Sequence, residues 1–214
     1  MGRLKNHKPM EQFYTEAEKK LFLELNDPKK IQDYLNSIPV NFELKGETCR
    51  SARMVLEKRQ AHCMEGAMLA AAVLEFHGHK PLVLDLRTIK PHDNDHVVAL
   101  FKQSGRWGAI SKTNHAVLRF REPIFKTIRE LALSYFHEYF LDNGKKTLRE
   151  YSEPVDLNRF NNLNWRTTDK DLFAIPRGID RARHFPILLP GQARQLRKAD
   201  KVEIAAGKLV EWKK

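Results

Sequence analysis

The sequence predicts an α+β fold in which a buried helix packs against a mainly antiparallel sheet. Residues 64–76 are apolar nearly all round, as in a helix enclosed by a protein core. Strand-like segments follow at 81–86, 96–101 and 107–111, and short loops join them. Short connections favour antiparallel neighbours, so we expect this helix to cover one face of the sheet and additional helices to surround it.

Start signals mark three helices before the buried one. Thr15 and Glu18 fit a capping box for a first helix that ends near residue 26. Asp27 and Pro28 have the residue types of an N-cap and a first helical position, so a second helix should begin there. A third short helix is expected over residues 52–58, where apolar residues recur at helical spacing.

Glycine, asparagine and proline mark the remaining elements. Gly78 is placed to end the buried helix, and a Ser-Gly pair at 104–105 to form the hairpin turn between the second and third strands. We expect Pro123 to start a long amphipathic helix, which an Asn-Gly pair at 143–144 ends. Four prolines interrupt regular structure later in the chain, and the tail from Gly191 is expected to hold a short helix and a weak strand.

Chain length bounds the domain organisation. A chain of 214 residues buries roughly 70% of its unfolded surface, which supports one main core. We expect residues 1–14 to be a flexible arm and residues 15–150 to form the core domain. Residues 151–214 are expected to be an irregular basic extension that packs on the core or trails it.

Charge and composition limit the functional classes. The formal net charge is +11, and the chain from Arg177 onward carries 10 basic and 4 acidic residues. A basic solvated surface is the commoner cause of such a balance, and no zinc-finger spacing or aromatic RNA-binding signature accompanies it, so nucleic acid is a disfavoured partner. The absence of an apolar run of about 18 residues and of a signal-peptide core favours a cytoplasmic protein with no membrane partner. The oligomeric state stays open.

Cys63 comes immediately before the buried helix, where the chemistry of a thiol changes. Backbone N–H groups and the helix dipole favour thiolate over thiol at a helix N-terminus. His96 begins the second predicted strand, from where an imidazole can reach the sulfur as a base without being close in sequence. The other cysteine, Cys49, has no such pattern around it and is interpreted as structural. Both cysteines are expected to be reduced thiols.

The sequence around these positions resembles the transglutaminase-like superfamily of papain-type thiol enzymes. The matching residues are Cys63-Met64-Glu65-Gly66-Ala67-Met68-Leu69 with Gly78, then His96-Val97-Val98, then Trp107-Gly108-Ala109-Ile110-Ser111-Lys112-Thr113. The resemblance implies a papain-like core, a cysteine protease-like mechanism, and Cys63 and His96 as catalytic residues. It also implies a peptide or amide substrate, and we expect no cofactor.

The third position of the implied triad departs from the family pattern. Ser111 stands where the resemblance places the catalytic aspartate, and a serine cannot supply the negative charge that stabilises an imidazolium. Asn114 and Asp95 are alternative partners for His96, and the sequence does not choose among them. Gln60, upstream of the thiol, is either an oxyanion-hole amide or a surface loop residue.

For each of these assignments there is an alternative in which the residue has no catalytic or metal-binding role. Cysteine is among the most buried residue types, so a cysteine on an apolar helix often serves only packing. His62, next to the thiol, either modulates it or faces solvent. Metal ligation by the histidines and aspartates between residues 77 and 96 is disfavoured, because the loop composition argues against a helix there and Cys63 would be the single sulfur ligand. No metal is therefore expected.

The interpretation that best joins these observations is a thiol-dependent acyl-transfer enzyme. Cys63 attacks an amide or other acyl carbonyl, His96 accepts and then donates the proton, and water or an amine resolves the thioester. By resemblance, hydrolysis of the amidase or peptidase type is favoured over cross-linking. The alternative is a non-catalytic transglutaminase-like scaffold that binds a partner, and the serine at position 111 favours it.

Overall fold

The computed structural model describes residues 11–90 and 92–213 of the chain. Within these ranges the strands are β1 (Leu82–Arg87), β2 (His96–Gln103), β3 (Arg106–Ile110), β4 (Arg121–Phe125), β5 (Glu150–Ser152), β6 (Val155–Asp156) and β7 (His184–Pro186). They form one sheet in the order β4-β3-β2-β1-β5-β7, and β6 pairs with β1. Each of these pairings is antiparallel. The predicted α+β class and antiparallel sheet are therefore confirmed.

The α-helices lie before, between and after these strands. They are α1 (Glu16–Glu24), α2 (Pro28–Ser37), α3 (Ala52–Lys58), α4 (Cys63–Phe76), α5 (Ile128–Ser134), α6 (Ala174–Asp180) and α7 (Lys201–Gly207). The capping box of Thr15 and Glu18 begins α1, and Asp27 accepts a 2.8 Å hydrogen bond from the Lys29 amide at the start of α2, as predicted. No helix in the described ranges is long and apolar enough to cross a bilayer.

Helix α4 is the centre of the core. Its 14 residues carry almost no exposed surface beyond the first residue and the last, and the helix packs chiefly on β2. Helix α4 lies close to the chain after β3. A Cβ added to Gly66 would lie 2.4 Å from the Lys112 Cβ. The helix ends at His77, and Gly78 follows in the left-handed conformation (φ 86) that glycine adopts without strain.

Apolar residues fill both faces of the sheet. Side chains alternate between faces along a strand, so Val97 and Ala99 of β2 face α4 while Val98 and Leu100 face α5. Strand β2 is apolar almost throughout because neither of its faces meets water. The sequence predicted a helix on only one face of the sheet. In the structure a helix also covers the other face.

The long helix predicted from Pro123 is wrong. Pro123 lies in β4 at the end of the sheet order, where a missing N–H is tolerated because an edge strand leaves half of its backbone groups unpaired. The helix that follows is the short α5, whose N-cap Thr127 accepts a 3.1 Å hydrogen bond from the Glu130 amide. The pattern Thr-x-x-Glu at 127–130 was the start signal that could have placed it.

The last third of the chain completes the core domain. The predicted boundary between residues 150 and 151 falls inside β5, and β6 and β7 belong to the same sheet. Trp165 is fully buried, and the Arg166 guanidinium pairs with the Glu75 carboxylate of α4 at 2.6 and 2.7 Å. Of the predicted arm, residues 1–10 lie outside the described residues, and Tyr14 is buried.

Candidate functional site

Cys63 is the first residue of α4 and lines a cleft of about 440 Å³. Arg59 ends α3 in the left-handed conformation (φ 51), and Ala61 then bridges to Val40. This turn aims the chain into α4 with His62 as its N-cap. The Cys63 sulfur is therefore partly exposed at the positive end of a long buried helix, where the helix dipole favours its negative form.

His96 begins β2 and also lines the cleft. Its Nε2 lies 2.7 Å from the Ser111 hydroxyl, and that hydroxyl donates its single proton to the Leu118 carbonyl at 2.5 Å. The Ser111 oxygen must then accept from His96, which puts the proton of the neutral ring on Nε2. The other nitrogen, Nδ1, carries no proton in the neutral ring, so it is the nitrogen that can take a proton from the neighbouring Cys63.

A side chain of α2 forms hydrogen bonds to the backbone of Ser111. The Gln32 side chain accepts from the Ser111 amide at 2.9 Å and donates to the Ser111 carbonyl at 2.8 Å. The next residue, Lys112, is buried and donates from Nζ to the Leu35 and Ile38 carbonyls at 2.8 and 2.6 Å. These bonds lock the chain after β3 against the end of α2, and so they fix where His96 points.

A second imidazole contacts the same sulfur. His62 Nε2 lies 3.0 Å from the Thr48 carbonyl, so it donates there, and the ring's other nitrogen is left to the hydrogen bond with Cys63. Carboxylate oxygens lie behind the ring, with Glu65 at 3.5 Å and Glu43 at 3.9 Å from Nε2. His62 therefore lies beside the thiol, and its modulation of the thiol, one of the two roles that the sequence left open, stays a prediction.

Glu65 is a carboxylate with no exposed surface. It accepts hydrogen bonds from the Thr48 hydroxyl at 2.7 Å, from the amides of Arg50 and His62 at 3.1 Å each, and from the Asn41 side chain at 3.1 Å. Donors on every side are what a buried ionised carboxylate needs, because they replace the water it has lost. The Glu65 charge is thereby held directly behind His62.

The acidity of the thiol follows from these surroundings. Burial raises the pKa of Cys63, but hydrogen bonds from His62 and His96 and the positive charge of both rings lower it to about 5. Burial lowers the pKa of His62, but its hydrogen bond to Cys63, the charges of Cys63 and Glu65, and the Thr48 carbonyl raise it to about 9. Cys49, by contrast, has its pKa raised to about 12, chiefly by burial. At neutral pH the site therefore holds a thiolate next to an imidazolium.

Tyr139 adds a proton donor that sequence reasoning missed. It is 3% exposed, lines the cleft, and its hydroxyl has no hydrogen-bond partner among the described residues. Burial, followed by the negative charges of Cys63 and Asp93, raises the pKa of Tyr139 well above its ordinary value, so the hydroxyl keeps its proton. A buried hydroxyl without a partner costs free energy unless a ligand uses it. Nothing in the local sequence distinguished this tyrosine from a core residue.

Two other predicted site residues line the same cleft but bond other partners. The Asn114 side chain bonds the Trp212 backbone at 2.9 and 2.8 Å, so it anchors the C-terminal segment instead of orienting His96. Asp95 accepts from Thr88 at 2.8 Å and pairs with Lys90 at 2.9 Å. The oxyanion role of Gln60 stays a prediction.

A group of three carboxylates lies close enough together for metal binding in the described part of the chain. Oxygens of Asp85, Asp95 and Asp180 lie within 4.8 Å of one another. Asp85 bonds His184 at 3.0 Å, Lys90 pairs with Asp95, and Arg87 lies 3.9 Å from Asp180. These cations already balance the carboxylates, so the group is explained as an ion-pair network.

The structure thus brings together Cys63, His62, His96 and Ser111, and it bonds the Asn114 side chain to Trp212. The signal that could have found His62 was its position as the residue before a helix-opening cysteine. The sequence matches no protein-family model and no curated protein.

Proposed function

We propose that the protein is a thiol-dependent acyl-transfer enzyme with a papain-like, transglutaminase-like core, and that it hydrolyses an amide or peptide bond through a thioester on Cys63. The observation that carries this proposal is the position of Cys63 at the start of α4, where it lines a cleft together with His62 and His96. A cysteine that serves only packing does not need such surroundings. The buried Cys49 is an example.

The proposed reaction uses His96 as the base and acid. The thiol proton passes to His96 Nδ1, and the thiolate attacks the acyl carbonyl to form a carbon–sulfur bond. The tetrahedral intermediate collapses as the carbon–nitrogen bond breaks, and His96 returns the proton to the leaving amine. Water then attacks the thioester, giving its proton to His96, and the carboxylic acid and free Cys63 are released.

The oxyanion of each tetrahedral intermediate needs donors close to the sulfur. The Cys63 amide is the first of α4 and has no carbonyl in a preceding turn to bond, so it is free for this role. The unpartnered hydroxyl of Tyr139, which also lines the cleft, is the second donor in this proposal. We infer that Tyr139 takes the part that the sequence gave to Gln60.

The test is acylation by p-nitrophenyl acetate, a generic activated ester. We expect one equivalent of p-nitrophenolate to be released in a burst, with one acetyl group on Cys63 in the intact mass. Cys63→Ser should abolish the burst, and Cys49→Ser, in which the other thiol is removed, should retain it. Adding an amine such as methylamine separates hydrolysis from transfer, because a transferase forms the N-methyl amide faster than the acid. No acetyl group on Cys63 would refute the proposal.

A non-catalytic scaffold is the second candidate, and one observation favours it. The far nitrogen of His96 meets the uncharged Ser111 hydroxyl, which cannot stabilise an imidazolium as a carboxylate does. A scaffold predicts that Cys63 reacts with iodoacetamide, which needs only a thiolate, and yet fails to form or release an acetyl thioester.

A further inference from the structure

We propose that His62 is a permanent cationic partner of the Cys63 thiolate, with the buried Glu65 carboxylate as its counter-ion. This inference rests on the proposed function and assigns separate tasks to the two imidazoles of the site. His62 holds the charge of the resting thiolate, and His96 moves protons during the reaction. The pair of His62 and Glu65 thereby compensates for the carboxylate that position 111 lacks.

Hydrogen-bond directions support the cationic form of His62. Its Nε2 must carry a proton, because its 3.0 Å partner is the Thr48 carbonyl, which only accepts. The Glu65 and Glu43 carboxylates at 3.5 and 3.9 Å from Nε2 favour the protonated ring, and the neighbouring Cys63 sulfur, when ionised, favours it as well.

The charges around the two rings differ. His62 has the Glu65 carboxylate at 3.5 Å and Glu43 at 3.9 Å, and Arg50 Nε lies 3.8 Å from Glu65 on its far side. His96 has no carboxylate within ion-pair distance among the described residues, and its partner is the Ser111 hydroxyl. A positive charge that persists through the reaction is therefore more stable on His62 than on His96.

This division leaves the proton balance of the reaction intact. In the resting site the proton that left Cys63 is held by His96, which gives it to the leaving amine and receives another from the water that attacks the thioester. His62 keeps its own proton in every step, since the carboxylate of Glu65 neutralises it whether the sulfur is charged or acylated. When the thioester forms, the thiolate charge disappears, and the His62–Glu65 pair remains neutral as a whole.

Iodoacetamide alkylation of Cys63 as a function of pH tests the inference without a substrate. In the wild type the midpoint should lie at about 5. His62→Gln and His62→Ala should each raise it by roughly 1 to 3 pH units, the effect of an opposite charge at contact distance. His77→Ala, which removes a half-buried histidine from the other end of α4, should leave it unchanged. A midpoint that stays at the wild-type value in folded His62 variants would overturn the inference.

Ring-nitrogen NMR of the wild type gives a second measurement that needs no variant to fold. The His62 ring should carry protons on both nitrogens at neutral pH, and it should still carry both in Cys63→Ala, where the Glu65 carboxylate remains beside it. A neutral His62 ring at neutral pH would also overturn the inference.

Failure of the proposed function looks different from failure of this inference. A wild-type midpoint near that of an ordinary thiol, with no acetylation of Cys63, removes both. A low midpoint that depends on His96 but not on His62 removes the inference and leaves the enzyme.

Discussion

His96 donates a hydrogen bond from Nε2 to the hydroxyl oxygen of Ser111 over 2.7 Å, and the Ser111 hydroxyl donates a hydrogen bond to the Leu118 carbonyl. The imidazole is thus oriented by a neutral group whose single proton is already used. Orientation and charge stabilisation, which one carboxylate provides in a conventional triad, are therefore separate in this site.

Removing the orienting hydroxyl should slow acylation. Ser111→Ala deprives His96 Nε2 of its acceptor, so the ring loses its fixed direction and tautomer, and we expect the p-nitrophenyl acetate burst to slow by roughly 10- to 100-fold. Ser37→Ala, at an exposed helix end, is the control. Wild-type burst kinetics in Ser111→Ala would show that His96 needs no partner.

Tyr139→Phe should separate acylation from alkylation. Loss of one oxyanion donor costs roughly 10²- to 10³-fold in rate, so the burst should slow by about that factor. Alkylation by iodoacetamide forms no oxyanion and should keep its rate. Tyr14→Phe is a matched control, because the Tyr14 hydroxyl is also buried without a partner but lies outside the cleft lining. Equal effects of the two variants on the burst would argue against an oxyanion role.

Gly66→Ala should destabilise the fold, although alanine is the better helix former. Its Cβ would lie 2.4 Å from the Lys112 Cβ, which is anchored to the backbone and cannot swing away. We expect a loss of about 1–3 kcal/mol in the free energy of unfolding, measured in urea, as for other overpacked cores. A gain of about 1 kcal/mol, as helix propensity alone predicts, would show that the two elements can separate.

Breaking the ion pair between α4 and the later chain should have a larger cost. Arg166→Ala leaves the Glu75 carboxylate buried without its guanidinium, and we expect a loss of about 3–5 kcal/mol in urea unfolding. Arg197→Ala removes an exposed arginine with its own ion pairs and should leave the unfolding curve unchanged. Similar urea unfolding midpoints for both variants would mean that the last third of the chain does not stabilise α4 through this ion pair.

The ion pair of Cys63 and His62 should make stability depend on pH. Cys63 stabilises the fold above its ordinary pKa of 9.0 and loses this effect as pH falls through about 5. His62 stabilises it below its ordinary pKa of 6.5 and loses this effect as pH rises through about 9. Since both shifts describe one interaction, the difference in melting temperature between wild type and Cys63→Ala should rise as the pH increases above 5 and reach a plateau by pH 9.

The control for this profile is the buried thiol. Cys49→Ala removes a group whose pKa is raised to about 12, so its difference from the wild type should be flat over the same range. A flat profile for Cys63→Ala as well would contradict the ion pair.

Local patterns in the sequence were sufficient where neighbouring residues decide the structure. The capping box at Thr15, the Asp-Pro start of α2 and the apolar run of α4 each act through contacts within a few residues, and all three appear in the structure. Pro123 misled for the same reason, because its local preference for a helix start was overridden by pairing of β4 with β3.

The sequence by itself determined a buried helix opened by Cys63 and an antiparallel sheet that begins one strand with His96. Only the tertiary structure decided which groups meet the two catalytic candidates. Thr48, Glu65 and Leu118 reach the site from separate loops and a helix, and a hydroxyl or carboxylate gives no sign in the sequence of the ring it will face. Hydrogen bonds and charges act over a few ångströms in space, so their partners become known only when the chain has folded.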